Sequence, residues 1–257
     1  MSALTNKRAL ILGVANERSI AWAIARALAE GGARLGLTWV GESIERRVRP
    51  LAAEIGAEFV LPCDVSDDAQ IDALFAEVDR AWGGLDVLVH AVAYAEREDL
   101  VGRFVDTSRA GFHTALDVSA YSLVGLARGA LPLLRKAGGG SIVTLTFDGS
   151  RRVFPNYNVM GVAKAALESA VRYLAADLGP EGVRVNAVSA GPIKTLSAAG
   201  IRDFRQMLHV VEERAPLRRN VTADEVASLV ALLAGKGGEA ITGQVLHVDA
   251  GLSILGV

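Results

Sequence analysis

Apolar residues follow two alternating patterns along the chain. Short β-branched or apolar runs, bounded by Gly, Pro or Asp, alternate with longer stretches in which apolar residues recur at helical spacing. The short runs predict strands at Arg8–Leu12, Arg34–Thr38, Glu58–Leu61, Val87–His90, Ser141–Thr146, Val183–Ser189 and Gln244–Val248. The longer stretches predict helices at Ile20–Glu30, Ser43–Glu54, Asp67–Trp82, Ser108–Leu134, Asn158–Leu178 and Ala223–Ala234.

This alternation is typical of an α/β protein. We predict a single Rossmann-type doubly wound parallel sheet of seven strands, with helices on both faces, because the strands are too apolar to face water. No linker, charge block or repeat divides residues 1–257, so one dinucleotide-binding and catalytic domain is expected. The segment from Gly191 to Thr222 lacks a convincing helical pattern and is too long for an ordinary connection, which predicts a lid or binding loop.

Composition narrows the possible partners and compartments. A formal net charge of -2 gives no basic field that would attract nucleic acid or anionic lipid. No apolar run reaches the roughly 18 residues of a membrane span, and no signal-peptide pattern is present, so we expect no membrane association. Cys63 is the only cysteine, and the four histidines have no metal-ligand spacing. We therefore expect neither disulfides nor a metal site, and a cytoplasmic location.

The turn after the first strand has the features of a phosphate-binding turn. Gly13 directly follows the strand and permits a tight turn, and the helix after Ser19 and Ile20 offers unpaired amides to a pyrophosphate. The turn lacks the G-x-G-x-x-G pattern, so a plain turn capped by Ser19 stays an alternative.

Three further strand ends point to the same edge of the sheet, where ligands of parallel sheets bind. Asp64 follows the third strand and could accept a hydrogen bond from an adenine amino group, or merely cap the next helix. Small residues after His90 leave room for a flat dinucleotide, whereas His90 itself is interpreted as a packed histidine. The segment from Ala190 to Thr195 could meet a nicotinamide carboxamide.

The end of the second strand bears on the choice of nicotinamide cofactor. The residues from Thr38 to Glu42 include no cation at the strand tip, where a 2′-phosphate usually finds one. Arg46 and Arg47 follow on a helix and fit a solvated charged face. The sequence thus favours NADH, with NADPH not excluded.

Tyr157 and Lys164 are the candidate catalytic pair. On a helix that begins at Asn156, seven residues at about 100° each bring Lys164 back to within about 20° of Tyr157, so both lie on one face. A phenol can donate to a substrate carbonyl oxygen, and an ammonium can hold a ribose. A surface pair with snorkelling side chains is the alternative.

Four segments carry a resemblance to a known family. They are Gly13–Asn16 with Ser19–Ala21, Pro155–Gly161 with Ala163–Lys164, Arg184–Ala187 with Ser189–Ile193, and Ala215–Arg219. The chain resembles the enoyl-[acyl-carrier-protein] reductases of the divergent short-chain dehydrogenase/reductase group along essentially its whole length. Ordinary short-chain dehydrogenases that act on alcohols use Tyr-x3-Lys, whereas this chain has the spacing Tyr-x6-Lys. The residue four before Lys164 is Met160, which cannot donate a proton.

The resemblance implies roles for individual residues. The implied cofactor-binding residues are Gly13, Ser19, Ile20, Val40, Asp64, Val65, Val92, Lys164, Ile193 and Thr195. The implied substrate-binding residues are Ala95, Tyr157 and Met160, with Tyr157 on the thioester carbonyl oxygen. Val40 departs from the Gln that is frequent in the family, which weakens the preference for NADH.

Phe147 is the larger departure from the family pattern. Many bacterial members carry a second tyrosine of the catalytic set here, whereas mycobacterial members carry Phe-Asp, as this chain does at Phe147–Asp148. We interpret Phe147 as a variant of the catalytic position. Since phenylalanine has no hydrogen-bonding group, any donor role falls to Tyr157.

The resemblance implies NADH-dependent reduction of the trans-2 double bond of enoyl thioesters carried by acyl carrier protein, in fatty acid biosynthesis. It also implies a homotetramer and a substrate-binding loop at about residues 194–210, with Arg202 and Arg205 facing the acidic carrier protein or simply solvated. Two other functions stay open: a short-chain reductase for another enone or ketone, and a non-catalytic NAD-binding homologue.

Overall fold

Seven parallel strands form one sheet in the computed structural model, which describes residues 4–196, 198 and 203–256. The strands are β1 (Arg8–Leu12), β2 (Arg34–Trp39), β3 (Phe59–Pro62), β4 (Val87–His90), β5 (Gly140–Thr146), β6 (Val183–Ala190) and β7 (Val245–Val248). The helices are α1 (Ile20–Glu30), α2 (Glu42–Glu54), α3 (Asp68–Trp82), α4 (Arg97–Leu100), α5 (Arg109–Leu116), α6 (Ser122–Lys136), α7 (Val159–Leu178), α8 (Phe204–Arg214) and α9 (Ala223–Ala234). The strand order is β3-β2-β1-β4-β5-β6-β7, which confirms the predicted doubly wound sheet.

Alternate residues of the strands bury against helices on opposite faces of the sheet, as the pleat requires. In β1, Leu10 and Leu12 pack with residues of α3, α6 and α7. Ala9 and Ile11 pack with residues of α1, α2 and α9 on the other face. All four side chains are fully buried, and a buried Leu or Ile contributes about 1.5–3 kcal/mol. Both layers of helices are therefore held by the same central strand.

The chain changes direction across the sheet between β1 and β4. β1 pairs with β2 on one side and with β4 on the other. The chain runs outward to β3, returns to β4, and then continues to β7 on the other side. At such a switch point the two following connections diverge, which leaves a crevice at the carboxyl ends of the strands.

The helix predicted over Ser108–Leu134 is interrupted. A wider π turn at Asp117–Tyr121 separates α5 from α6. Within that turn Ser119 is fully buried; its hydroxyl accepts from the N–H of Tyr94 and donates to the carbonyl of Tyr94, both at 2.9 Å. The π turn thus directs a polar side chain to the segment that follows β4, a tertiary contact that hydrophobic spacing does not reveal.

The expectation of no helix between Gly191 and Thr222 is wrong, because α8 occupies Phe204–Arg214. Only Val211 of this helix is buried, so the apolar stripe is too narrow to stand out in the sequence. Of the predicted substrate loop at 194–210, residues 204–210 are helical, and residues 197 and 199–202 lie outside the described residues.

His90 closes β4 inside the protein and is fully buried. Its Nε2 lies 2.8 Å from Ser122 Oγ, and its Nδ1 lies 2.7 Å from Thr144 Oγ1. Because Ser122 donates its own proton to the Val118 carbonyl at 2.7 Å, Nε2 carries the imidazole proton and Nδ1 accepts from Thr144. Burial and the nearby charge of Lys164 lower the pKa of His90 to about 3. His90 is a packed, neutral histidine, as interpreted from the sequence.

The buried neutral His90 predicts a loss of stability in mild acid. The unfolded chain protonates His90 near pH 6.5, whereas the native protein does so only near pH 3, so the free energy of unfolding falls as the pH drops through this window. His90→Gln keeps one donor and one acceptor but does not titrate. We expect it to be less stable at neutral pH and to show a flatter decline between about pH 6.5 and about pH 5 in urea unfolding. Parallel curves for the two proteins would contradict this.

Candidate active site

A cleft of about 400 Å³ opens at the carboxyl ends of β1, β4, β5 and β6. It brings together most of the site residues predicted from the sequence: Gly13, Ser19, Ile20, Val92, Ala95, Phe147, Tyr157, Met160, Lys164, Ile193 and Thr195. These residues come from turns that are far apart in sequence and meet because parallel strands end at one edge. Tyr157 and Lys164 both line this cleft.

Glycine at position 13 is required by the close approach of two strand ends. Gly13 has a φ of 101°, and a Cβ built there would lie 2.1 Å from the carbonyl oxygen of Ala91. The α1 helix begins directly behind this turn, and the Ser19 side chain makes no capping hydrogen bond to it. Ser19 instead donates to the carbonyl of Asn16 at 2.7 Å. The first amides of α1 thus suit a pyrophosphate, and the turn fits a dinucleotide.

Tyr157 lies in the turn before α7, not on the helix, so the predicted helical geometry is wrong for this residue. The turn holds Asn156 and Asn158 at φ of 60° and 35°, a region that asparagine tolerates better than most residues. The Met160 amide donates to the Tyr157 carbonyl at 3.0 Å, which joins the turn to the first helical residues. Tyr157 reaches the cleft through this turn.

An aromatic cluster surrounds the Tyr157 ring. The Phe147 ring meets it edge-on at 5.1 Å between centroids, and Phe154 contacts Phe147 at 4.7 Å. Gly149 leaves space for the phenol ring, since a Cβ there would lie 2.6 Å from Tyr157 Cδ1. Burial, and secondarily the charge of Glu168, raise the pKa of Tyr157 well above its usual value. The phenol therefore keeps its proton at neutral pH and is available as a donor.

The turn that carries Phe147 is anchored by charge. Asp148 is buried and accepts from Nε of Arg152 at 2.6 Å. Arg152 also donates to the carbonyls of Leu252 and Leu255, at 3.0 and 2.7 Å. The C-terminal segment and the Phe147 turn are thereby fixed to each other.

Lys164 is buried on the inner face of α7 and donates to the carbonyl of Leu145, at the end of β5, at 2.8 Å. Burial lowers its pKa to about 8, against an opposing effect of Glu168. The ammonium is therefore present at neutral pH but is easily deprotonated above it.

Met160 and Ala95 lie together on the apolar side of the cleft. Both belong to a cluster around Tyr157 that also includes Leu100. The Ser119 hydroxyl contacts Met160 Sδ at 3.7 Å, so the π turn touches the apolar side of the cleft. The predicted substrate-binding residues thus form an apolar surface next to the phenol.

Val40, Asp64 and Val65 are not part of this cleft. They follow β2 and β3, which lie beside β1 at successive strand spacings of about 4.8 Å. Val40 is exposed and Val65 is buried. The Asp64 carboxylate accepts from the amide and the hydroxyl of Ser66, whereas the cap of α3 is Asp67. These positions suit only the far end of an extended dinucleotide, and their role stays a prediction.

Sequence reasoning missed several residues of the site. Glu168 follows Lys164 by one helical turn, a spacing that could have identified it. Leu100, Phe204 and Met207 also line the cleft, but the short α4 and the weakly patterned α8 gave no clear signal. Ser119 could be found only from the structure.

The described parts of the chain contain no group of three or more His, Cys, Asp or Glu side chains placed to hold a metal. None of their helices is both long and apolar enough to cross a membrane.

A family model described as Enoyl-(Acyl carrier protein) reductase matches residues 13–253. The chain belongs to this family. It is 51% identical to enoyl-[acyl-carrier-protein] reductase [NADH] 1 of Rhizobium meliloti, over 99% of this chain and 93% of the relative. It is 49% identical to the NADH enzyme of Bacillus subtilis, over 98% and 97% of the two chains. These matches confirm the resemblance seen in the sequence.

Solved structures of family members match the whole fold. The Bacillus cereus enoyl-acyl carrier protein reductase, with NADP+ and indole naphthyridinone, superposes with a TM-score of 0.97 at 49% identity, covering 100% of both chains. The Anaplasma phagocytophilum enzyme in complex with NAD superposes with a TM-score of 0.95 at 45% identity, covering 99% of this chain and 96% of that one. The described residues therefore have the fold of these solved structures.

The low pKa of Lys164 predicts a pH-dependent stability of the unliganded protein. Between the native value of about 8 and the unfolded value of 10.5, the unfolded chain binds more protons. The free energy of unfolding therefore rises with pH, by at most about 1.4 kcal/mol per unit. We expect Lys164→Met to lack this rise between about pH 8 and about pH 10 in urea unfolding.

The matched control is Lys136→Met, since Lys136 is a half-exposed lysine bonded to Asp79. We expect the control to keep the rise. The interpretation is wrong if Lys164→Met and the unsubstituted protein gain stability equally over this range.

Proposed function

We propose that this protein reduces the trans-2 double bond of enoyl thioesters carried by acyl carrier protein, with NADH as the reductant, in fatty acid biosynthesis. The observation that carries the proposal is the meeting of Tyr157 and Lys164 in one cleft beside the Gly13 turn. The named relatives of Rhizobium meliloti and Bacillus subtilis are NADH-dependent reductases of this kind.

NADH, when bound, supplies a hydride to the β-carbon of the enoyl thioester. As the hydride arrives, the double-bond electrons move toward the carbonyl, and negative charge develops on the carbonyl oxygen. Tyr157 donates its phenol proton in a hydrogen bond to that oxygen, and the α-carbon then takes a proton from solvent. Because the pKa of Tyr157 is raised by burial, the phenol stays protonated and acts as a hydrogen-bond donor.

Lys164 holds the cofactor in this proposal. Its ammonium lies at the end of β5, where it can donate to ribose hydroxyls while remaining bonded to Leu145. The first amides of α1 and the Gly13 turn would hold the pyrophosphate. The absence of a cation from the residues that follow β2 favours NADH, the cofactor named for the relatives.

The apolar side of the cleft favours an enoyl thioester over a ketone substrate. Met160 stands four residues before Lys164, and its thioether cannot donate a proton to a developing alkoxide. Leu100, Ala95 and Met160 instead offer an apolar surface for an acyl chain. Reduction of crotonyl thioester but not of simple ketones with NADH distinguishes the two reactions. NADH binding without turnover of any enoyl thioester would identify a non-catalytic homologue.

The cleft opens toward α8, where we place the carrier protein. Arg205 is exposed on this helix and suits an acidic partner; Arg202 lies outside the described residues. Thr195 of the predicted substrate loop lines the cleft together with Phe204 and Met207 of α8. A cytoplasmic location accords with this soluble carrier and stays a prediction.

We also propose a homotetramer, supported by an apolar groove on the outer side of α5, α6 and α7. The groove has a volume of about 760 Å³ and includes Tyr121, Val124, Ala166 and Ala170. Tyr121 is 45% exposed, and Ala166 and Ala170 lie one turn apart, which permits close approach of another helix. Exposed apolar surfaces of this kind are typical of subunit contacts.

The proposed role of Tyr157 predicts a large loss of turnover in Tyr157→Phe. Loss of one donor to a developing oxyanion typically raises the barrier by ~3 to 4 kcal/mol, so we expect turnover of crotonyl thioester to fall by about two or more orders of magnitude. NADH binding should persist, as measured by fluorescence titration. Tyr173→Phe, at an exposed tyrosine of α7, should keep normal turnover. Near-normal turnover of Tyr157→Phe would refute the role.

The groove predicts that a charge at Ala166 disrupts assembly. We expect Ala166→Glu to sediment as a smaller species than the unsubstituted protein, because a carboxylate would be buried without a partner at the contact. Leu232→Glu adds the same charge at an exposed position of α9 and should leave the assembly intact. Identical sedimentation of all three proteins would show that the groove is not a subunit contact.

A further inference from the structure

Glu168 is a buried carboxylate for which the proposed reaction has no direct use. It lies on α7, one helical turn after Lys164, and is only 7% exposed. Burying a carboxylate is costly unless it is hydrogen-bonded or lies near an opposite charge. Its position on the inner face of α7 therefore requires a compensating environment.

The end of β5 supplies that environment to both charged residues of α7. Thr146 donates from Oγ1 to Glu168 Oε1 at 2.6 Å. The preceding residue, Leu145, accepts from Lys164 Nζ at 2.8 Å through its carbonyl. Two consecutive residues of one strand thus hold an ammonium and a carboxylate that are four residues apart on the facing helix. Leu145 and Thr146 also line the cleft, so the arrangement adjoins the reacting groups.

We propose that Glu168 is a positioning residue that acts through Lys164, keeping its ammonium charged in the desolvated cleft and so extending cofactor binding to higher pH. The inference rests on the proposed function only in assigning Lys164 to the cofactor. The carboxylate itself does not line the cleft and does not touch the reacting atoms in this scheme.

The titratable groups nearest to Lys164 leave Glu168 as the source of negative charge. Burial lowers the pKa of His90, at the end of β4, to about 3, so the imidazole is neutral. Burial raises the pKa of Tyr157, so the phenol is neutral too. Arg97 of α4 lines the cleft, and its positive charge opposes a positive charge on Lys164, so it does not help to keep the ammonium charged.

The other acidic groups on elements packed against α7 are paired, exposed or on its outer side. Glu181 is bonded to Arg135, and Glu98 of α4 is exposed. Asp148 is bonded to Arg152. Asp99 accepts from the amide and hydroxyl of Ser108, at 2.8 and 3.1 Å. Asp117 lies on the outer side, in the groove between α5, α6 and α7. The strands beneath α7 contribute Leu145 and Thr146 at this point, which carry no charge.

The balance between burial and Glu168 sets the charge of Lys164. Burial lowers the pKa of this lysine to about 8, and Glu168 acts in the opposite direction. Without the carboxylate the ammonium would lose its proton closer to neutral pH. Two unit charges one helical turn apart on the buried face of a helix interact strongly enough to move a pKa by about one unit.

The decisive experiment separates the charge of Glu168 from its shape. Glu168→Gln keeps the size and an oxygen that can accept from Thr146, but removes the charge. Glu168→Asp keeps the charge but shortens the side chain. The dissociation constant of NADH is measured for each protein by fluorescence titration from about pH 6.5 to about pH 10.

We expect Glu168→Gln to bind NADH within about threefold of the unsubstituted protein at the lowest pH, while the pH at which the dissociation constant doubles falls by about one unit. Glu168→Asp should restore most of that shift. Asp86→Asn removes another buried carboxylate, which is bonded to Arg8 and Lys7 at the opposite edge of the sheet. It should leave the pH at which the dissociation constant doubles, here called the pH midpoint, unchanged.

An unchanged midpoint in folded Glu168→Gln would overturn the inference, as would an equal shift in the Gln and Asp variants, which would indicate packing. If the unsubstituted protein bound no NADH, the proposed function would fail, yet the inference could still be decided on the unliganded protein. In the unliganded protein, the rise in the free energy of unfolding that depends on Lys164 is obtained by comparison with Lys164→Met. When both proteins also carry Glu168→Gln, this rise should begin about one pH unit lower. An unshifted rise would refute the inference.

Discussion

The packing of α7 against the parallel sheet is the constraint on which the cleft depends. Leu167 and Val171 are fully buried on its inner face, in the same cluster as Leu10 of β1. This packing buries Lys164 and fixes its ammonium at the end of β5, where it donates to the Leu145 carbonyl. A desolvated ammonium needs an acceptor and a nearby negative charge, and the strand carbonyl and Glu168 provide them. The apolar core thus dictates the electrostatics of the site.

The sequence predicted the sheet well because strands buried on both faces leave a strong local pattern. The predicted strand bounds differ from the observed ones by about a residue, as at β3 and β7. Most of the candidate site residues could be predicted too, since the topology of a parallel sheet brings strand ends to one edge. Gly13, Val92 and Ile193 meet for this reason.

Features that depend on tertiary contacts could not be predicted in the same way. Helical spacing placed Tyr157 and Lys164 on one face, whereas the phenol reaches the cleft through a turn in which Asn156 and Asn158 adopt positive φ. The π turn that buries Ser119 depends on its bonds to Tyr94. The partner of Glu168 comes from β5, far away in sequence. In each case a contact between distant segments overrides the local pattern.

Phe147 shapes the electrostatics of the site without a polar group of its own. Its ring packs on Tyr157 and excludes water from the phenol, which contributes to the raised pKa of that group. The turn that carries Phe147 is fixed by Asp148 and Arg152, so the ring has a defined place. A phenylalanine here is compatible with a single phenol donor, because a donor held in place in a water-excluded site stabilises a developing negative charge strongly.

The two faces of α7 connect the chemistry with the proposed assembly. The inner face carries Lys164 and Glu168, whereas the outer face presents Ala166 and Ala170 to the apolar groove. A helix packed on the sheet from one side and on a neighbouring subunit from the other has little freedom to rotate or shift. Because a donor and an ammonium must keep their places to a fraction of an ångström, rigid support on both sides favours catalysis. In the proposed tetramer, subunit contacts and the reacting groups would therefore depend on the same helix.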